Sequence, residues 1–377
     1  MQPKTFGPRS GLSEDAVVAL IRDEPAPIIG AGLELIDRNL AVIEDISDSL
    51  LGGTVERDSY ATLHGKAVLD ISRSLDWAQA IVRPYVTING VRFDMGAYLT
   101  EVNTWESGRN PIVYAVQGHD ILSALNDRVG TGYSVAAGTL ILTKVEEILL
   151  QQGFTQYVID QSRATATMPS VRNWALDDNT RWLTIVNDML AAVGYRGVWS
   201  DWTGALRCEP YLAPTDRASE WTYYGEGETS QLPLERVTTK DLFDAPNRWI
   251  AVRQNNIEGE TPVEGNGVYT YINQLVGPTS VEARGGRIVT APLITVDAAD
   301  QSALVAAVDA RKAADMANPT QYELSLPSPG NPLHWHFDRV NTVDPEFGLA
   351  QVMVTRWSLP LAPSLEDMQQ AWMVLDA

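Results

Sequence analysis

Cysteine is nearly absent from this 377-residue chain: Cys208 stands alone, so no intramolecular disulfide supports the fold. Lysine is scarce too, with five (Lys4, Lys66, Lys144, Lys240 and Lys312) against 23 arginines. A GC-rich genome explains that bias more simply than a demand for guanidinium forks. Positive charge as a whole is short, because 28 Lys+Arg face 48 Asp+Glu and leave a formal charge of −20. Such a chain lacks the basic footprint of phosphate neutralisation, which argues against nucleic-acid binding, and an anionic membrane surface repels it. No apolar run approaches the roughly 18–20 residues of a membrane span. Residues 1–8 have no hydrophobic region of the signal-peptide kind.

What is present has ordinary globular proportions, 45% hydrophobic and 20% charged, which excludes wholesale disorder. At about 100–200 residues per domain the length implies two to four domains. Residues 14–21 read as a short helix, capped by Ser13 and stopped by Pro25 and Pro27. Apolar residues then alternate with acids from Leu33 to Ile43, and strands are expected at 54–57, 67–72, 97–102 and 111–116. Asn89-Gly90 between Val86/Ile88 and Val91/Phe93 is a type I′ hairpin signal. The middle third turns helical. Leu140, Ile141, Val145, Ile148 and Leu149 mark one apolar face, closed by Gly153. Trp182, Ile185, Val186, Met189, Leu190 and Val193 mark another, with Asp178 or Asn179 as cap and Gly194 as stop. A hairpin turning at 201–204 follows.

In the last third, strands are expected at 249–253, 268–272, 281–283, 288–289, 322–326, 339–343 and 352–357. A helix at 299–317 is capped by Asp297 or Asp300 and ended by Asn318-Pro319. The pattern is α+β and multidomain: an N-terminal arm (1–29), a first barrel- or sandwich-like β-domain (30–128), a central α/β helix–hairpin module (129–235) and a second β-domain (236–377). Acidity concentrates early, with 11 acids against three arginines between Ser10 and Tyr60.

The most suggestive cluster is His334-Trp-His336-Phe-Asp338. An extended backbone places both imidazoles and the carboxylate on one face, as a two-His-one-carboxylate metal site requires. The competing expectation is the start of a strand, with Trp335 and Phe337 inward and the polar groups outward. Three ligands along one flat strand seldom converge, so no cofactor is expected. The acid doublets Glu44/Asp45 and Asp177/Asp178 fit caps and solvated faces better than a hydrolase pair spaced across a cleft. Trp77, Trp182, Trp249 and Trp357 sit in apolar patterns and read as core. Trp199, Trp202 and Trp221 are the better candidates for an exposed, carbohydrate-binding or interface surface, with core as the open alternative. Cys208 reads as buried packing. Gly225-Glu-Gly227 and Gly265-Asn-Gly267 lack the helix, lysine and spacing of a phosphate loop. No Gly-x-Ser-x-Gly and no His-Glu-x-x-His is present, so the expectation is no enzyme.

Several stretches taken together are familiar: residues 54–65 (Thr54 to Gly65), 75–78, 83–85, 95–99 and 114–122, then the helix–hairpin 182–210. In this order they resemble minor tail proteins of actinobacteriophages, long-tailed siphophages of GC-rich hosts. The closing pattern of an Ala-rich helix, Asn318-Pro319, a strand, Pro327, Pro332 and Phe337-Asp-Arg-Val is similar to the second half of trimeric baseplate-hub proteins. The resemblance implies a homotrimeric hub at the virion tail tip, assembled in the host cytoplasm. Its two tube-type domains, repeated three times, form a pseudo-sixfold ring that continues the tail tube. Implied partners are the distal tail protein ring, the tape-measure protein C-terminus, and the central fibre with other minor tail proteins. DNA passes through the lumen without specific binding, and this chain inserts in no membrane. With the sequence ending at Ala377, no fused enzymatic domain is expected. The alternatives to a hub are a carbohydrate-binding receptor-recognition tail protein and a cell-wall glycoside hydrolase.

Overall fold

The computed structural model describes residues 28–375, apart from stretches at 78–79, 106–111, 175–179, 226–231, 233–236, 241, 254–261, 297, 317–319, 327–329, 345–347 and 362–366. Ala16, Ala19 and Leu20 are also described and are helical. The rest of the expected 14–21 helix, the acid pair Asp177/Asp178, the caps Asn179 and Asp297, and Asn318-Pro319 lie outside the described residues.

The first third contains β1 (Ile29–Ile36), β2 (Val42–Asp45), β3 (Leu50–Asp58), β4 (Gly65–Ile71), β5 (Ile81–Ile88), β6 (Val91–Asp94), β7 (Tyr98–Trp105) and β8 (Tyr114–Asp120). Period-two alternation makes these strands: in β4, Ala67, Leu69 and Ile71 are fully buried while Lys66 and Asp70 face solvent. Between β5 and β6, Asn89 (φ 49°) and Gly90 (φ 81°) form the expected two-residue turn.

The middle third contains β9 (Tyr133–Val135), α1 (Ile141–Gln151), β10 (Tyr157–Ile159), β11 (Arg172–Trp174), α2 (Trp182–Ala192), β12 (Trp199–Ser200) and β13 (Leu206–Cys208). Both helices end as their glycines dictate. The Gly153 and Phe154 amides donate to the Leu150 and Leu149 carbonyls, and those of Gly194 and Tyr195 donate to Ala191 and Leu190. Both are Schellman closures, and each glycine takes a positive φ. The start of α2 departs from expectation. Arg181 occupies the N-cap in an extended conformation and makes no side-chain cap.

The last third contains β14 (Trp221–Tyr224), β15 (Val237–Lys240), β16 (Arg248–Arg253), β17 (Val263–Glu264), β18 (Gly267–Ile272), β19 (Ile294–Val296), α3 (Gln301–Met316), β20 (Thr320–Leu326), β21 (Arg339–Asp344), β22 (Gly348–Leu361) and β23 (Met368–Val374). Asp300 caps α3 by accepting from the Ala303 amide at 2.9 Å. The strands expected at 281–283 and 288–289 do not form. The first lies within a run of turns containing Gly285 and Gly286, both at positive φ. The second is irregular backbone whose Val289 carbonyl accepts from Asn247 and Arg248.

The class is α+β, and the described residues form no closed barrel. Instead, 14 strands make one sheet, ordered β15-β20-β23-β22-β3-β4-β8-β7-β5-β1-β2, with β6 beside β5 and β21 and β14 attached through β22. The 14-residue β22 is the join. It pairs with β21 over Gly348–Met353 and then with β3 over Arg356–Leu361, while β23 follows its other edge through a bulge between Val354 and Arg356. One core accordingly takes residues from both outer thirds, among them Leu33, Leu69, Val116, Trp335, Val352 and Trp372. A second core lies under α1 and α2, and a third joins α3 to β16 and β19.

Candidate functional site

The residues 331–338 between β20 and β21 form turns and irregular backbone rather than a strand, so His334-Trp-His336-Phe-Asp338 follows neither expected pattern. His334, Trp335, His336 and Asp338 are all buried, and Phe337 adopts a left-handed φ of 58°. Asp338 folds back over its own segment, its Oδ2 accepting from the Trp335 amide at 2.6 Å and lying 3.3 Å from His334 Nδ1. The other imidazole nitrogen of His334 meets the Tyr223 hydroxyl of β14 at 2.6 Å. Both ring nitrogens of His334 are thus engaged by protein groups. His336 lies elsewhere, stacked on Trp199 (4.8 Å, 14°) and edge-on to His64 (4.6 Å, 79°). The three sequence candidates do not converge, and among the described residues no group of three His, Cys, Asp or Glu is arranged to hold a metal.

They belong instead to a buried polar junction. β3 brings in Arg57, and the turn after it, held by the Asp58 carboxylate accepting from the Tyr60 amide, brings in Tyr60 and His64. β8 ends on Asp120, which caps the following turn through the Leu122 amide. β12 contributes Trp199 and Ser200. Arg57 donates to the Ser200 carbonyl (2.9 Å), lies 3.7 Å from Asp120 Oδ2 and covers the Trp335 ring at 4.4 Å. Ser200 in turn donates to Asp120, and Trp335 Nε1 donates to the Ser200 carbonyl at 2.8 Å. One backbone carbonyl therefore ties the first third to the last through the middle. Burial pushes the Asp120 carboxyl upward against the pull of Arg57. Burial, reinforced by Arg57 and Arg196, holds the His64 and His336 imidazoles well below their ordinary range, which keeps both neutral near pH 7.

The Tyr223–His334–Asp338 sequence has the connectivity of a relay, but all three side chains are buried. Cys208 is likewise inert, its thiol pushed up to about 12 by burial. Glu44 pairs with Arg73, and Asp45 accepts from Ser47 and Tyr85. Trp77, Trp249 and Trp357 are core as expected. For Trp199 and Trp221 the core alternative holds, since both are buried: Trp199 packs on His336, and β14 is pulled in by parallel pairing with β21. Sequence reasoning missed Arg57, Asp120 and Ser200 altogether.

Comparison with solved structures gives this architecture a context. A tail protein from Neisseria meningitidis MC58 aligns over 92% of this chain and 96% of its own, at a TM-score of 0.62 and 12% identity. The 43 kDa tail protein of prophage MuSo2 from Shewanella oneidensis aligns over 91% and 98%, at a TM-score of 0.58 and 10% identity. The chain has the fold of phage tail proteins. Prophage tail protein gp18 from Listeria monocytogenes EGD-e shares that tail-protein fold over 91% of this chain and 94% of its own, at a TM-score of 0.51 and 12% identity. No protein-family model matches the sequence, and no curated protein does.

Proposed function

We propose that the chain is a non-enzymatic structural protein of a siphophage tail tip, a homotrimeric baseplate hub. In this reading it continues and closes the tail tube, meets the distal tail ring, the tape-measure C-terminus and the central fibre, and lets DNA pass at ejection. The divisions 1–29, 30–128, 129–235 and 236–377 then supply an arm, two tube-forming parts and a module facing neighbours. The observation that carries the reading is likeness to tail proteins along nearly the whole of both chains, 91–92% of this one and 96–98% of two neighbours. The motif order at 54–122 and 182–210 points the same way, and the buried Tyr223–His334–Asp338 sequence supports a role without catalysis.

Native mass spectrometry of the purified chain tests the assembly: a species at three times the 41.3 kDa chain mass is expected. A stable monomer absent from virion tails refutes the hub. The acidic excess of the first β-domain is proposed to lie partly on the bore, where it repels DNA phosphates and keeps the genome from sticking. Glu56 and Asp70, exposed on β3 and β4, are the acids to test there.

A further inference from the structure

A cleft of 460 Å³ lies where α2 and α3 meet the junction, within the usual size of a small-ligand site, about 300–1,000 Å³. Part of its lining is apolar, formed by Ala306, Ala310 and Ala313 of α3 with Ala191 of α2. A second wall carries Tyr60, His64, Arg196, Arg217, His336 and Phe337.

Two observations on that second wall point to a ligand. Polar atoms without hydrogen-bond partners among the described residues gather there: Arg196 Nε and Nη1, His64 Nδ1, His336 Nδ1 and the Tyr60 hydroxyl. The Arg196 side chain is only 8% exposed and has just its Nη2 engaged, by Glu209. Buried polar groups are nearly always satisfied, so such a concentration marks a place that another molecule completes. The same wall also carries two guanidiniums, those of Arg196 and Arg217. The Arg196 and Arg217 guanidiniums each lie 5.5 Å from the Phe337 ring, and Arg217 fixes that left-handed residue by donating to its carbonyl at 2.8 Å. Burial penalises the charge on both guanidiniums, and the nearby Asp338 and Glu220 carboxylates offset part of that cost. Asp188, the acid on the cleft, is occupied by Arg172 and the Trp174 indole.

We propose that this cleft binds an apolar group ending in a carboxylate, its body on the alanine face of α3 and its charge toward Arg196 and Arg217. The carboxylate belongs either to a free small acid or to the C-terminal residue of a neighbouring tail chain. Calorimetric titration of the full chain with sodium hexanoate, hexanol, acetyl-Ala-Leu as the free acid and its amide decides the matter. Both acids bind at least tenfold tighter than their neutral counterparts. The tighter of the two acids identifies the source as a small acid or a chain terminus. Ala310→Phe narrows the cleft without removing a charged group, and in the folded variant acid binding falls at least tenfold. Should that variant not fold, Arg217→Gln decides, with the same loss expected for the acids alone. Equal binding of acids and neutral molecules, no binding of either acid, or wild-type acid affinity in a folded variant overturns the proposal.

Discussion

Arg57 keeps a charge in the core because three unlike groups receive it: the Ser200 carbonyl, the Asp120 carboxylate and the Trp335 face. Removing one member of a buried ion pair strands the other, at about 3–5 kcal/mol. Arg57→Met and Asp120→Asn are each expected to lower urea stability by that order, and the double variant by clearly less than the sum. A strictly additive cycle refutes the coupling. His64 and His336 set the acid limit of the same junction. Their folded-state affinity for protons lies below the unfolded value of about 6.5, so the unfolded chain takes up protons first. Stability is therefore complete above pH 6.5 and falls below it, by up to about 1.4 kcal/mol per pH unit for each histidine. Melting temperatures between pH 7.5 and 5 read this slope, which His336→Gln makes shallower. The sequence displays His334, His336 and Asp338 side by side, yet their partners are remote. Phe337 reaches Ser59 across 278 positions, and Trp335 reaches Ser200 across 135, so spacing alone carries no trace of the junction.

Among the elements, those fixed by local chemistry were legible and those fixed by packing were not. The Asn89-Gly90 turn needs two positive-φ residues whatever surrounds it, and the Gly153 and Gly194 closures satisfy helix-end carbonyls from neighbouring positions. Gly90→Ala meets no atom within 4 Å, so its cost is conformational alone, about 1–2 kcal/mol. Gly132→Ala, equally open but without a left-handed backbone, should change little; thermal unfolding of both variants separates the two effects. The burial of Trp199 and Trp221 was illegible because strands of two and four residues have too little pattern to show which face is covered. Residues 281–289 misled for a related reason. Their apolar spacing resembles strands, but the glycine pair and the Asn247 amide bonding the Thr279 and Arg287 carbonyls hold them as turns.

For the whole molecule, the α+β class follows from the alternation of periods along the sequence, whereas the single sheet joining both outer thirds does not. That join depends on β22 being long enough to reach past β21 to β3. If the acids of the first β-region line a passage for DNA, Glu56→Lys with Asp70→Lys slows ejection from assembled particles, and the delay shrinks as salt screens the new attraction. Unchanged ejection kinetics in low salt rules out that placement of the bore.

The β3–β22 ladder also sets an order of events at synthesis. The partner of Asp58 is Arg356, so one edge of β3 has no β22 beside it until about 300 more residues have been made. At roughly 5–20 residues per second the wait is about 15–60 s, during which β3 presents unpaired amides and carbonyls. A chain stopped at residue 347 keeps that edge open permanently and should aggregate on expression where the full chain stays soluble. Each copy therefore carries its own time limit: the nascent chain must be kept from other open edges until residues 348–361 arrive to cover it.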